Sequence, residues 1–403
     1  MAVLVPRVSD FIPATRSPIP RRSRKIAWTT RGAWLAALVV FCIVWPAWEY
    51  PIFDIEPQQR LKAFVQLALL HGSWLLWPLL VQSAFKAVAR FREHRPWRAS
   101  GAVALGIACV LLCWARFVEP NELIVRRTVI PAPVDLNIAL VADMHAGIFT
   151  RTGKLEQMVR KLNSLHVDMV LIAGDLTYDP PYNLDATLAP LRHIDKPVYV
   201  VLGNHDLQLP GPPLAHKIVR AMAAPNVHFI EHRVIDFENF RLAGLYDWWS
   251  GRDDTAFLKT LPHDKPLLVL MHQPHSLRAL RGVDFALAMA GHTHGGQVYI
   301  PWLTEKMFML TRDEQYVNGY YDTPNGKLFV TPGIGVTGVP LRFDCPPTID
   351  VLELRRNGRG HDAAKTSRPS IVLTRARIST PSAGSPLRTD PATPLIQGGK
   401  PTP

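Results

Sequence analysis

The feature that most constrains this chain is a pattern that recurs five times between residues 137 and 294. Each time a short apolar run ends abruptly in residues able to hold a cation or carry a proton. Residues 137–141 (NIALV) run into Asp143 and His145, and 169–172 (MVLI) deliver Gly174 and Asp175. Residues 197–202 (PVYVVL) end at Gly203, Asn204, His205 and Asp206. Residues 266–271 end at His272, and 285–290 end at Gly291, His292, Thr293 and His294. Apolar runs of this length read as buried strands. Residues 153–165 between them place Leu155, Met158, Val159 and Leu162 on one helical face. Strands alternating with helices predict a layered α/β fold. Polar residues placed repeatedly at strand ends predict a site along one edge of the sheet. A lone polar residue after a strand is ordinarily just a turn, but five such clusters, all of metal-ligand types, resist that explanation.

The first third of the chain follows another rule. Residues 32–48 (GAWLAALVVFCIVWPAW) are almost wholly apolar; 63–88 form a second run interrupted by His71, Gln82 and Lys86, and 99–114 a third. Each approaches the roughly 17–25 residues that cross a hydrocarbon core. Trp28, Trp45, Trp48 and Trp97 sit near the run ends, as interfacial aromatics do. Three buried helices of a soluble domain would need far more polar sequence between them, and no small-residue cleavage site follows the first run to make it a signal peptide. Three transmembrane helices are therefore expected over 32–117. Arg21, Arg22, Arg24 and Lys25 precede the first run, residues 49–59 carry acidic side chains and no Lys or Arg, and Lys86, Arg90, Arg92, Arg95 and Arg98 fill the second connection. The positive-inside rule then puts the basic tail 1–31 in the cytoplasm and, with three crossings, everything after Phe117 outside. That side depends on an odd number of crossings.

The net charge of +12 would suit a nucleic-acid partner, but both basic clusters flank apolar runs, so nucleic acid is not expected. Cys42, Cys109, Cys113 and Cys345 show no paired spacing, which excludes a zinc knuckle or a disulfide framework. Residues 357–403 are rich in Arg, Ser, Thr, Pro and Gly, without apolar periodicity, and are expected to be disordered.

The ordered series Asp143-x-His145, Gly174-Asp175, Gly203-Asn204-His205-Asp206, His272 and Gly291-His292-Thr293-His294 resembles the calcineurin-like metallophosphoesterases over roughly 136–354. Any one block is weak alone; the set in this order is highly specific. Gly295-Gly296-Gln297 and residues 335–349 look like the membrane-associated bacterial branch, which holds exported phosphodiesterases and enzymes cutting the pyrophosphate of UDP-2,3-diacylglucosamine in lipid A synthesis. The resemblance implies a layered β-sandwich flanked by helices, with a catalytic domain over 118–356. It further implies a hydrolase using a hydroxide activated by two divalent ions, Mn, Fe or Zn, on a phosphoester or lipid-linked pyrophosphate; with the loop charges, this places the catalytic domain at the outer side of a bacterial inner membrane.

By the family pattern Asp175 bridges the ions, Asp143, His145 and His294 complete one site, and Asn204, His272 and His292 the other. Two ions roughly 3.5–4 Å apart clamp a phosphate and acidify a water between them, which needs a shared carboxylate and mixed oxygen and nitrogen donors. In an extended segment residues i and i+2 face one way, so Asp143 and His145 can meet at one point, whereas His292 and His294 diverge if the turn twists. The pattern makes His205 a non-ligand that contacts phosphate and protonates the leaving oxygen, a task suited to an imidazole. Asp206 either orients that imidazole or caps a turn. Arg342 either holds a substrate phosphate or pins the last loops, and Tyr246, Trp248 and Trp249 are either core or a groove lining. His166, His193, His228, His232 and His263 read as surface or structural residues. A non-catalytic envelope-binding protein would be marked by a missing ligand or acid, and none is missing.

Overall fold

The computed structural model describes Tyr50 and residues 57–356, apart from 95, 182, 209–212 and 313–314. The apolar run 32–48, the basic tail 1–31 and the tail 357–403 fall outside the described residues. The chain divides into two compact units, Met1–Leu75 and Leu76–Pro403. In the first, the second apolar run opens as α1 (Arg60–Gly72). In the second it continues as α2 (Leu76–Arg92), and the third run forms α3 (Pro96–Cys113), extended by a wider π-turn over Trp114–Val118. Two stretches among the described residues, Arg60–Arg92 and Pro96–Asn121, are long and apolar enough to cross a membrane. Phe85, Val88, Ile107 and Val110 all point away from the protein, the inverse of a soluble helix pair. Helices α2 and α3 pack together where Gly106 admits Ser83, whose hydroxyl oxygen would lie 3.1 Å from a methyl added at that glycine.

Two six-stranded sheets follow. The first takes its strands in the order β1 (Ile124–Pro131), β14 (Thr348–Arg355), β2 (Leu136–Val141), β4 (Met169–Ala173), β6 (Val198–Val201), β7 (Val227–Phe229). The second runs β12 (Gly319–Thr323), β13 (Gly326–Val330), β11 (Leu287–Ala290), β10 (Leu267–Leu270), β9 (Arg241–Gly244), β8 (Arg233–Asp236). A short pair, β3 (Ala146–Gly147) with β5 (Thr177–Tyr178), sits beside them. Neighbours β2, β4 and β6 are parallel, as are β9, β10, β11 and β13, so their carboxyl ends open on common edges.

Period-two alternation makes this a sandwich. Ile138 and Leu140 on β2, Leu171 on β4 and Tyr199 and Val201 on β6 share one core with Leu268 and Leu270 on β10 and Leu287 and Met289 on β11. The intervening residues face outward and are covered too. Ala139, Val141, Val170, Ile172, Val198 and Val200 pack on α4 (Thr152–Ser164) through Leu155, Met158, Val159 and Leu162. Further cover comes from α5 (Leu184–Leu188) and, after the short α6 (Asn204–Leu207), from α7 (Ala215–Ala221). On the far face of the second sheet Val269, Met271, Ala288 and Ala290 meet Leu258 and Leu277 from short 3-10 segments and Leu280 from the turn that follows. Strands buried on both faces explain why the sequence shows continuous apolar runs rather than alternation. The fold is thus an α/β sandwich with flanking helices, and apolar helices precede it.

Candidate metal centre

All the singled-out clusters emerge at one edge of the sandwich. Their side chains form three overlapping groups whose ligand atoms lie within 4.8 Å of one another: Asp143, His145 and His294; His145, Asp175 and His205; Asp175, His272 and His292. The first sheet contributes Asp143, His145, Asp175 and Asn204 from the ends of β2, β4 and β6; the second contributes His272, His292 and His294 from the ends of β10 and β11.

The local backbone is unusual. Asp143, His145, Asp175, His292 and His294 all have positive φ, between 48° and 73°. Residues other than glycine rarely take the left-handed region, although Asp, Asn and His tolerate it best. Asp143 and His145 therefore converge through left-handed turns, not through the extended geometry that the sequence suggested, and such strain gathers at functional sites. Gly174, at φ 82°, allows a close approach: a Cβ there would stand 2.6 Å from His272 Nδ1. At Gly291 it would stand 2.8 Å from Asp143 Oδ2.

Asp175 occupies the middle. Its Oδ1 accepts from the His205 backbone N–H at 2.9 Å, leaving Oδ2 3.3 Å from His272 Nε2 and 3.7 Å from His145 Nε2. The Nδ1 of His272 faces the Ala173 carbonyl at 2.8 Å and, as its donor, fixes the ring so that Nε2 points inward. Around that Nε2 stand Asn204 Oδ1 at 3.0 Å and His292 Nδ1 at 3.3 Å. On the other side His145 Nε2 and His294 Nε2 face each other at 2.9 Å, with Asp143 Oδ1 3.8 Å from His294 Nε2. Asp143 Oδ1 is buried with no hydrogen-bond donor, while Oδ2 accepts from the His292 N–H at 2.9 Å. Buried acceptors that converge without matching donors describe a cradle for cations. The nitrogen and oxygen donor set, free of thiolate, fits divalent first-row metals.

Charge follows the same geometry. Burial lowers His145 to about 3, and lowers His294 as well, so both rings are neutral and present lone pairs. Burial raises Asp143 to about 8, helped by the nearby Asp175 charge and opposed by His272. Burial alone would lower His272, yet Asp175, Asp143 and Asp247 push it up to about 10. The two carboxylates together demand positive charge at this point.

Asp206 uses its carboxylate on the loops. Oδ2 accepts from the Leu176 and Gly203 N–H groups, each at 3.1 Å, and Oδ1 from the Thr177 N–H and hydroxyl at 3.0 and 2.9 Å. It clamps the loop after β4 to the loop after β6, which favours the structural reading over direct orientation of His205. The His205 ring, partly exposed, lies edge-on to His145 with centroids 5.0 Å apart and to Tyr178 at 4.9 Å. Arg342 is fully buried, and its guanidinium donates to the carbonyls of Gly335, Cys345 and Pro332, so it pins the last loops. One of those loops returns to the site, where Gly335 N donates to Asp143 O at 2.7 Å. Of the aromatic trio, Tyr246 stacks on His232, while the exposed Trp249 stands edge-on to His292 with centroids 5.5 Å apart. His166, His193, His228, His232 and His263 are all exposed.

Sequence reasoning missed four residues. Tyr178 packs on His145 and His205. The buried Asp247 accepts from Gln273, next to His272, and from the Trp249 N–H. Glu119 accepts from the Cys345 N–H, and Cys345 donates its thiol to the His294 carbonyl at 3.3 Å. Only Tyr178 and Asp247 had a local signal, lying within three residues of Asp175 and beside the tryptophans respectively.

The site thus defines a protein with a buried cluster of histidines and carboxylates able to hold metal at the edge of a β-sandwich. Residues 136–296 match the calcineurin-like phosphoesterase family. The chain is 31% identical over 228 residues to phosphodiesterase YaeI of Escherichia coli, covering 54% of this chain and 81% of that protein. It therefore belongs to the calcineurin-like phosphoesterases, a family that binds divalent metals. An uncharacterised metallophosphoesterase of Helicobacter pylori is 30% identical over 55% of this chain. A transmembrane protein with metallophosphoesterase domain from Danio rerio is 28% identical over 67% of each chain. The chain spans about 60% of the length of the Helicobacter pylori relatives it matches.

Proposed function

We propose that the protein is a metal-dependent phosphoesterase, hydrolysing phosphodiester or pyrophosphate bonds of a membrane-linked or envelope substrate. The observation that carries this reading is the position of Asp175 Oδ2 between two groups of converging nitrogen and oxygen ligand atoms. In this proposal Asp143, His145, Asp175 and His294 hold one divalent cation, and Asp175, Asn204, His272 and His292 hold another, each Mn, Fe or Zn. When bound, such a pair neutralises phosphoryl oxygens and acidifies water. His205, next to this cradle and open to solvent on one side, donates a proton to the leaving oxygen. Asp206 is a positioning residue, holding the backbone just after Asp175 and just before Asn204. Trp249 lines the approach beside His292, and suits an apolar or planar part of the substrate.

In the same reading residues 118–356 form the catalytic domain and 32–117 a membrane domain of three spans. The charge of the connecting loops supports a catalytic domain on the periplasmic side of a bacterial inner membrane. The pyrophosphatase of UDP-2,3-diacylglucosamine is the narrower form of the proposal, favoured by exposed tryptophan at the site mouth.

The test is to strip the full-length protein of metal, reload it with Mn²⁺, and assay it on bis-p-nitrophenyl phosphate and on UDP-2,3-diacylglucosamine. Metal-dependent cleavage of the dye ester alone supports a phosphodiesterase, and preferential cleavage of the lipid supports the narrower form. Cleavage of neither, with ions bound, overturns the enzyme and leaves a metal-dependent envelope-binding protein.

A further inference from the structure

The helix α8 (Leu303–Arg312) is built inside out for a protein surface. Thr304, which is buried, and Phe308 face inward and pack against Gly296, two residues beyond His294. Thr304 also bonds Val298 O and Ile300 N, fixing the start of the helix. One exposed row is apolar, with Leu303, Met307 and Leu310 at i, i+4 and i+7 and Trp302 and Met309 nearby, while Glu305 and Lys306 are exposed beside it. Trp302 is 69% exposed and Leu310 71%. A contiguous exposed patch of this kind marks an interaction site rather than ordinary surface.

The identity of the partner follows from what the helix is tied to. The stretch Pro96–Asn121 is long and apolar enough to span a membrane, and Ala115 lies near its carboxyl end. Ala115 O accepts from Arg342 N at 2.8 Å. The next residue, Phe343, pairs with Val298, and its carbonyl accepts from Tyr299 N at 2.8 Å. Tyr299 leads directly through exposed Ile300 into Trp302 and α8. Two hydrogen-bonded steps thus separate the end of the span from this segment, roughly 10 Å at the usual spacing of paired extended chains. Whatever depth the span end occupies, the apolar helix lies close to it. A tryptophan beside a lysine is the ordinary furniture of a bilayer interface, where the ring sits at headgroup level and the ammonium reaches toward phosphate. Lys306 Nζ stands 5.1 Å from the Trp302 ring centroid, on the same side of the helix.

We infer that α8 is an interfacial helix that lies in the headgroup layer of the lipid bilayer, with Trp302, Leu303, Met307 and Leu310 inserted. Such helices bind by burying one apolar face a few ångströms below the headgroups. The surface is independent of the chemistry proposed above, and its test does not read turnover.

A spin label at Leu310→Cys in the full chain, reconstituted in phosphatidylethanolamine and phosphatidylglycerol vesicles, reports its surroundings by collision with oxygen and with a water-soluble nickel chelate. A label at Asp284→Cys, exposed before β11 at the sheet edge opposite the metal centre, serves as the reference, and the wild-type signal is subtracted for native cysteines. Leu310 is exposed, so the substitution leaves the fold intact. The expected result is several-fold more oxygen collision and several-fold less nickel collision at 310 than at 284. Equal nickel collision at both positions would overturn the inference by placing α8 in water. Shielding from both reagents would overturn it too, by showing a protein partner or a second copy on this face.

Discussion

The loops of the first sheet bring Asp143, His145, Asp175 and Asn204 to the common edge, whereas those of the second bring only histidines, His272, His292 and His294. As ligands, then, one side offers both carboxylates and every oxygen donor, and the other offers nitrogen alone. Neither can satisfy itself. The carboxylates of the first sheet, joined by Asp247 from the loop after β9, hold His272 of the second at a raised pKa of about 10, and Asp143 Oδ1 keeps no donor of its own. A shared apolar core, from Leu140 and Leu171 to Leu270 and Met289, sets how closely the two half-sites meet. The lesson is that the centre belongs to the packing between sheets rather than to either sheet.

The largest effect expected on this comparison comes from Asp175→Asn. The substitution removes charge from the one side chain that faces both groups, so metal affinity should fall by more than the ~10–100-fold typical of disturbing outer partners. Both ions and turnover should be lost together. His272→Ala, on the second sheet, should empty one group and leave the Asp143, His145 and His294 group loaded. Elemental analysis of the two variants checks this, and equal stoichiometry would erase the distinction between the sheets.

Next in size is Leu270→Ala, in the core between the sheets and two residues before His272. Removing a fully buried leucine should lower stability by about 2–5 kcal/mol. Thermal melts with and without Mn²⁺ should show that added ion recovers part of the loss, because ligand binding favours the folded state. A melt insensitive to metal would break the link between core and centre.

The smallest effect concerns the outer layer of the first sheet. Lys154 on α4 is half-buried and donates to Pro120 O at 2.6 Å, and desolvation of its ammonium lowers its pKa from 10.5 to about 7. Between those values the unfolded chain binds a proton that the folded chain does not, so stability rises as pH rises from about 7 towards 10. Lys154→Met should flatten that rise in the melting temperature. On the second sheet His272, raised to about 10, acts in the opposite sense over the same window, so the difference between wild type and variant, rather than the absolute slope, reports Lys154.

How much of this was legible follows from where each signal lies. The residues of the centre were readable because each sits directly after a short apolar run, so fold and chemistry share one local pattern. The partners that hold them were not. Glu119 and Cys345 are 226 residues apart in sequence, and β1 finds β14 across a similar distance, with Ile124 opposite Thr348. Nothing near Glu119 announces that pairing. The left-handed backbone at Asp143, His145 and Asp175 was hidden for another reason. Asp and His are the side chains that tolerate positive φ, so their presence is explained equally well by metal binding. Arg342 looked ambivalent because a guanidinium suits phosphate and carbonyls alike, and only its complete burial decides between them.

The central claim is that two half-sites hold cations while His205, beside them, handles the proton. It is tested most directly by counting metal and measuring turnover on bis-p-nitrophenyl phosphate in wild type, Asp175→Asn and His205→Ala side by side. The account predicts that His205→Ala keeps its full metal content and loses turnover by about 100-fold or more, the range of a missing general acid. Metal loss in His205→Ala equal to that in Asp175→Asn would contradict it.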